Sequence, residues 1–163
     1  MYNAERAATV KAALMAGADR VTRNSPGKGD KRLIVNYCGF KVCVLVCYDV
    51  RFPVWARNVN NEYDLLIYVA NFPEKRIADW DILLKARAVE NQAYVCGVNR
   101  VGVDGLGIDY NGHSALLDFK ATSLLTFPEN KTSIQTFELQ SEPLLHYRQK
   151  FAVWKDADGF ELK

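Results

Sequence analysis

Nothing in this chain approaches the roughly 18 consecutive apolar residues of a membrane span. Its longest clean run is Val42 to Cys47, and no membrane role is expected. Charge of one sign is also missing. Lys and Arg number 21 against 19 Asp and Glu, a net charge of +2 with the signs interspersed. Without a basic stripe, nucleic acid is not an expected partner. Lys28, Lys31 and Arg32 sit among Gly27, Gly29 and Asp30, as in a solvated turn. The four cysteines, at 38, 43, 47 and 96, form no Cys-x-x-Cys pair. That sets aside a disulfide scaffold and favours thiols in a reducing cytoplasm. Met1 to Arg6 lack the apolar core of a signal peptide, which agrees with a cytoplasmic expectation. Only His113 and His146 could join the cysteines around zinc, and no finger-like spacing connects them. No metal or other cofactor is expected.

What is present suits one globular α/β domain over residues 1–163, with 49% hydrophobic and 25% charged residues. Glu5 to Met15 reads as a helix ending near Gly17, and Asn24 to Asp30 as a loop. Arg32–Tyr37 and Phe40–Val46 flank Cys38-Gly39 as a hairpin would. Pro53 suits the first turn of a short helix toward Asn58. Leu65–Ala70 and Ala93–Val98 read as strands buried on both faces. Between them, Asp79–Asn91 reads as a helix with Trp80, Leu83, Leu84 and Ala88 on one stripe. Strand, helix, strand implies a right-handed crossover. Gly102–Gly112 reads as a flexible loop, Ser114–Leu117 and Thr132–Leu139 as later strands, and Glu142–Lys150 as a helix.

The apolar run ends abruptly in Cys47-Tyr48-Asp49-Val50-Arg51-Phe52-Pro53. A buried strand that stops at a cysteine can present a nucleophile at its open end, beside backbone N–H groups. The thiolate would attack, so something must lower its pKa or take its proton. A strand-end cysteine acting as a small hydrophobe accounts for the local pattern equally well.

This segment resembles the nucleophile segment of the nitrilase superfamily of carbon–nitrogen hydrolases, and within it the omega-amidase branch. The likeness continues through Tyr63–Pro73, Trp80, Ala86–Tyr94, Asn99–Gly102 and Tyr147–Phe151. It implies an α-β-β-α sandwich whose members hydrolyse amides or nitriles through a covalent thioester or thioimidate. It also implies Cys47 as nucleophile, the Tyr48 N–H as an oxyanion donor, and Asn71 and Phe72 as substrate contacts. Small omega-amides such as 2-oxoglutaramate would be the substrates, and a homodimer the expected assembly. The family also uses a glutamate base and a lysine upstream of the cysteine. Only 46 residues precede Cys47, so the glutamate's strand has no counterpart, and an N-terminally truncated sandwich is expected. Counting back without gaps puts Thr9 at the lysine's position, whereas a two-residue deletion puts Lys11 there.

Several side chains have two readings. Arg87 lies on the packed stripe of its helix, with Glu90 one turn on as its local partner. The resemblance implies that the pair supports the floor beneath the cysteine. Asp49 and Arg51 flank the elbow, where they are expected to pair with each other or to cap the helix at Pro53. A histidine could activate Cys47 instead, but nothing in the sequence brings His113 or His146 near it. Tyr147, Phe151 and Trp154 fit either a dimer contact or an intramolecular cluster. Leu117–Ala121 lacks the proline and glycine of the family's turn. A redox pair of Cys43 and Cys47 is disfavoured, because four residues of strand separate the Cα atoms by about 13 Å. Two functional readings remain: a cysteine amidohydrolase, or a catalytically incomplete piece acting through association.

Overall fold

The computed structural model describes residues 32–159. The expected helix at Glu5–Met15, the loop at Asn24–Asp30, and Lys11 lie outside that range. Left-handed Cys38 (φ 49°) and Gly39 (φ 84°) close the expected hairpin between β1 (Leu33–Tyr37) and β2 (Phe40–Val46). Positive φ at both turn positions matches the right-handed twist of the strands they join. β2 then runs parallel to β3 (Leu65–Ala70), and β3 parallel to β4 (Tyr94–Asn99).

Parallel neighbours require crossovers. A 3-10 turn (Cys47–Arg51) and the one-turn helix α1 (Pro53–Ala56) lie in the first, and the helix α2 (Ile77–Asn91) fills the second. The chain leaves β4 through a separate hairpin, β5 (Val101–Val103) and β6 (Asp109–Asn111). It rejoins the sheet as β7 (Ala115–Leu117), antiparallel to β4, and β8 (Ser123–Thr126), antiparallel to β7. The sheet order is β1-β2-β3-β4-β7-β8.

Side-chain alternation divides the sheet into two apolar faces. Cys43, Leu45, Leu66, Tyr68, Ala70 and Val95 pack with Trp80, Leu84 and Ala88 of α2. On the other face Val42 and Val44 cluster with Leu33, Val35, Leu65 and Ile67. Strands that are apolar on both sides belong inside a layered α/β fold, as expected from their sequence. Gly97 marks the closest approach of helix to sheet. A Cβ there would stand 2.4 Å from Leu84 Cδ1 and 2.8 Å from Trp80 Cζ2.

Helix α3 (Ser141–Lys150) buries Leu144 against Tyr94 and Phe119. Its Arg148 bonds Asp64 Oδ1 at 2.7 Å, the Tyr63 carbonyl at 2.8 Å and the Gln92 carbonyl at 2.9 Å. These groups lie at the ends where β3 and β4 begin, the end opposite Cys47. Tyr147 stacks on Phe119 at 4.9 Å and approaches Phe151 at 6.0 Å, so these aromatics make contacts within the chain.

Three expectations change. Gly102–Gly112 is not a loop but contains the β5–β6 hairpin. The Asp104 carboxylate organises its turn by accepting the Leu106 and Ile108 N–H groups at 2.8 and 3.0 Å. Thr132–Leu139 forms no strand. It is largely exposed and runs past the second sheet face, where it helps enclose a cleft of about 480 Å³ with Leu65, Ile67, Cys96 and Val98. Finally, β8 was not expected. The tight turn before it forms without proline or glycine, because Asp118 Oδ1 accepts the Lys120 and Thr122 N–H groups, each at 2.8 Å.

Gly97→Ala should destabilise the fold by about 1–3 kcal/mol through overpacking against Leu84 and Trp80. Chemical denaturation should show a lower midpoint with an unchanged slope.

Candidate active site

β2 ends at Val46, and the next residue takes φ = 43°. That residue is Cys47. A side chain in the left-handed region is strained, and such strain persists only where the surroundings hold it. The turn points the half-buried thiol toward the end of β3, where Sγ lies 3.8 Å from the Asn71 carbonyl. Because residues 47–51 form a 3-10 turn rather than extended chain, strand alternation does not apply to Tyr48, Asp49, Val50 and Arg51.

Four contacts restrain the elbow. The Asp49 carboxylate reaches back to accept the Val46 N–H at 3.1 Å. Arg87, only 3% exposed, donates from Nε and Nη2 to the Val50 carbonyl at 3.1 and 2.7 Å. Its Nη1 meets Glu90 Oε1 at 2.8 Å. The expected Arg87–Glu90 pair is therefore present, and the rest of the guanidinium fastens the turn after Cys47 to α2. Arg51 does not pair with Asp49; it bonds Asp79 Oδ2 at 2.7 Å and lies over the Phe72 ring at 5.3 Å. Distance in sequence explains the miss, since Asp79 is 28 residues away.

Three asparagines do what no local signal announced. Asn91 accepts the Asn58 N–H at 2.8 Å, and Asn58 Nδ2 donates to the Asn91 and Tyr63 carbonyls. Asn99 grips the Phe72 peptide, accepting its N–H at 2.7 Å and donating to its carbonyl at 3.0 Å. Asn71 stays exposed at the strand end while Phe72 is buried against Trp80, their ring centroids 5.3 Å apart. Tyr48 is exposed, its ring edge-on to Phe52.

Burial pushes the Cys47 thiol above its ordinary pKa, and the Asp49 charge adds to the rise. Backbone hydrogen bonds at Asn71 and Tyr48 and the positive charge of Arg76 oppose it. A backbone N–H donor beside the thiol can stabilise either a thiolate or a developing oxyanion, whereas the Asn71 carbonyl accepts from the neutral thiol. Arg76, in the 3-10 turn Glu74–Arg76, was not singled out by its sequence context. β6 packs beside that turn. Tyr110 of β6 has its hydroxyl pKa raised first by its bond to Asp104, and slightly by Cys47. His113 does not serve the thiol. Its ring nitrogens meet Asp81 at 2.9 Å and Glu129 at 3.0 Å. No group of three metal-ligating side chains occurs among the described residues.

A profile of carbon-nitrogen hydrolases matches residues 9–149. The chain belongs to the carbon-nitrogen hydrolase family. It is 48% identical over 134 residues to omega-amidase YafV of Escherichia coli, covering 82% of this chain and 52% of that protein. The Yersinia enterocolitica omega-amidase YafV is 44% identical over the same shares. Among solved carbon-nitrogen hydrolases, a Xanthomonas campestris protein with an arsenic adduct in its active site superposes with a TM-score of 0.81 at 37% identity. That match covers 84% of this chain and 54% of the other. A nitrilase-superfamily member from Saccharomyces cerevisiae superposes with a TM-score of 0.64 at 26% identity, over 78% of this chain and 46% of its own. The α/β fold is thus that of the nitrilase superfamily, and the chain spans about half the length of the relatives it matches.

Three outcomes are expected at this carbon-nitrogen hydrolase site. The pH midpoint for iodoacetamide alkylation of Cys47, followed by peptide mass spectrometry, should lie above that of an unperturbed thiol, near 8.5. Asp49→Asn should move that midpoint down, because removing the neighbouring anion favours the thiolate. Arg87→Met should cost about 3 kcal/mol in denaturant unfolding, since it strands Glu90 and the Val50 carbonyl.

Proposed function

We propose that this chain carries the nucleophilic half of a cysteine-dependent amidohydrolase acting on omega-amides of short dicarboxylic acids, such as 2-oxoglutaramate. The observation that carries the reading is the elbow: a half-buried thiol in left-handed backbone, with backbone groups of Tyr48 and Asn71 converging on it. Cys47 Sγ would attack the amide carbon while the oxygen takes the negative charge beside the Tyr48 N–H. The C–N bond then breaks, ammonia leaves with the proton, and a thioester remains. Water would attack that thioester, the C–S bond would break, and the acid and the thiol would be released. Asn71, exposed at the strand end, would line the path of the acyl chain, with Phe72 buried beneath it between Trp80 and Arg51. Two of the relatives named above are omega-amidases, and a Bacillus subtilis relative, 38% identical over 81 residues, is a 2-oxoglutaramate amidase; these support the choice of substrate.

Both steps require a base. Asp49, the carboxylate whose charge acts on Cys47, is committed to the Val46 N–H and raises the thiol's pKa. That arrangement favours a base from outside residues 32–159, with Lys11 as its companion. The same fact favours a second reading: a catalytically incomplete chain that functions by association, with a second copy of itself as the simplest partner.

Ammonia release from 2-oxoglutaramate and succinamate, with Cys47→Ala as control, separates the two. Release that disappears in the variant supports the hydrolase. Folded protein that releases no ammonia supports the incomplete chain.

A further inference from the structure

The Cys47 thiol donates to the Asn71 carbonyl, with Sγ at 3.8 Å. That carbonyl belongs to the peptide joining Asn71 to Phe72, and the N–H of the same peptide is the Phe72 N–H. Asn99 Oδ1 accepts this N–H at 2.7 Å. A trans peptide is planar, with its C=O and N–H directed opposite ways. An acceptor on the N–H side therefore aims the carbonyl toward the other side, where Sγ stands. Thiol, peptide and Asn99 amide form one continuous chain of hydrogen bonds. Bonds linked in this way polarise one another.

Asn99 is held so that it cannot turn away. It ends β4 and is 8% exposed. Both Nδ2 hydrogens are used, on the Phe72 carbonyl at 3.0 Å and the Gly112 carbonyl at 2.6 Å. A flipped side-chain amide would set donor against donor and its oxygen against two carbonyls, so Oδ1 is fixed toward the Phe72 N–H. The Asn99 main chain is tied as well. Ser114 Oγ accepts its N–H at 2.9 Å and donates to its carbonyl at 3.3 Å. On either side of the Asn71–Phe72 peptide the chain has other restraints. Ala70 pairs with Asn99 in the ladder, and its carbonyl accepts the Arg100 N–H at 3.1 Å. The Phe72 ring packs on Trp80. These contacts leave open the rotation of the peptide between them, and Asn99 closes it.

We propose that Asn99 is a positioning residue for the Cys47 thiol: by holding the Phe72 N–H it keeps the Asn71 carbonyl on Sγ. It thereby sets the direction from which the sulfur meets a substrate. Asn99 acts through one peptide and bonds neither the thiol nor the reacting atoms. The assignment rests on the amidase reading for turnover alone, since the bond to the thiol exists without substrate.

The S–H stretching band of Cys47 tests the proposal in the full chain. It is isolated, with the thiol protonated, as the Raman difference between each protein and its own Cys47→Ala counterpart. Asn99→Leu keeps the shape and removes the amide, so the band should move to higher frequency as the bond to the carbonyl weakens. Asn99→Asp keeps an oxygen for the Phe72 N–H and should not raise it. Ser114→Ala loosens the same strand end without touching the peptide, and should leave the band in place. A folded Asn99→Leu with an unmoved band, or an equal move in Ser114→Ala, overturns the assignment. The reciprocal measurement leaves Asn99 intact. In Cys47→Ala the Phe72 amide-proton resonance should move upfield, because the chain of bonds has lost its first donor. An unchanged resonance overturns the assignment even if Asn99→Leu does not fold. Under the amidase reading, Asn99→Leu should lower kcat for succinamate about 10- to 100-fold with little change in KM, the mark of a misplaced reacting group. A loss confined to KM overturns the positioning role. If the unsubstituted chain releases no ammonia, the amidase reading fails, and the two spectra still decide what Asn99 does to the thiol.

Discussion

A left-handed cysteine at the end of a parallel strand exists only if the turn after it is held, and Arg87 holds it. Removing a guanidinium from water is costly unless every donor finds an acceptor. Here the Val50 carbonyl takes two donors and Glu90 a third. The arrangement is justified less by stability than by position, since an apolar residue could fill the same space without fixing the turn. Through this bond the orientation of Cys47 becomes a property of α2. Gly97, which lets α2 press against the sheet, belongs to the same chain of dependence.

Around that bond the site is assembled by backbone rather than by titrating side chains. Asn99 fixes the Phe72 peptide, Asp49 fixes the Val46 N–H, and the Asn58–Asn91 pair closes the far end of the crossover. Neutral amides suit this task because each can donate and accept at once. The thiol is therefore left in a setting that burial makes unfavourable for its anion, eased by backbone groups and one arginine. Under the amidase reading, both chemical steps would need a proton acceptor beyond these groups.

The sequence made the sheet core legible and left the fasteners hidden. β3 and β4 read correctly because apolar, β-branched runs on both faces have few other structures open to them. The β1–β2 hairpin was visible because glycine follows its first turn residue. β5 and β6 were not, because three-residue strands among glycines and aspartates look like a loop until Asp104 is seen tying the turn. Thr132–Leu139 carries strand-like residues, yet nothing pairs with them along their length, and propensity without a partner strand makes no ladder. Of the candidate site, pattern pointed to Cys47 and the helix stripe to Arg87. The bonds of Arg51, Asn58 and Asn99 were not legible, because Asp79, Asn91 and Phe72 lie 28, 33 and 27 residues away. The left-handed backbone of Cys47 had no local marker, since no glycine stands there.

The order of these fasteners along the chain has a consequence for how the protein is made. Arg87 lies 37 residues after Val50, Asn91 33 after Asn58, Asn99 27 after Phe72, and Arg148 84 after Asp64. Each of these four groups is downstream of what it holds. A ribosome adding roughly 5–20 residues per second delivers each one seconds late. During that interval Cys47 is an ordinary, flexible cysteine at the end of an unfinished sheet, reactive toward whatever the nascent chain meets. Its protected state begins only when α2 has emerged and docked.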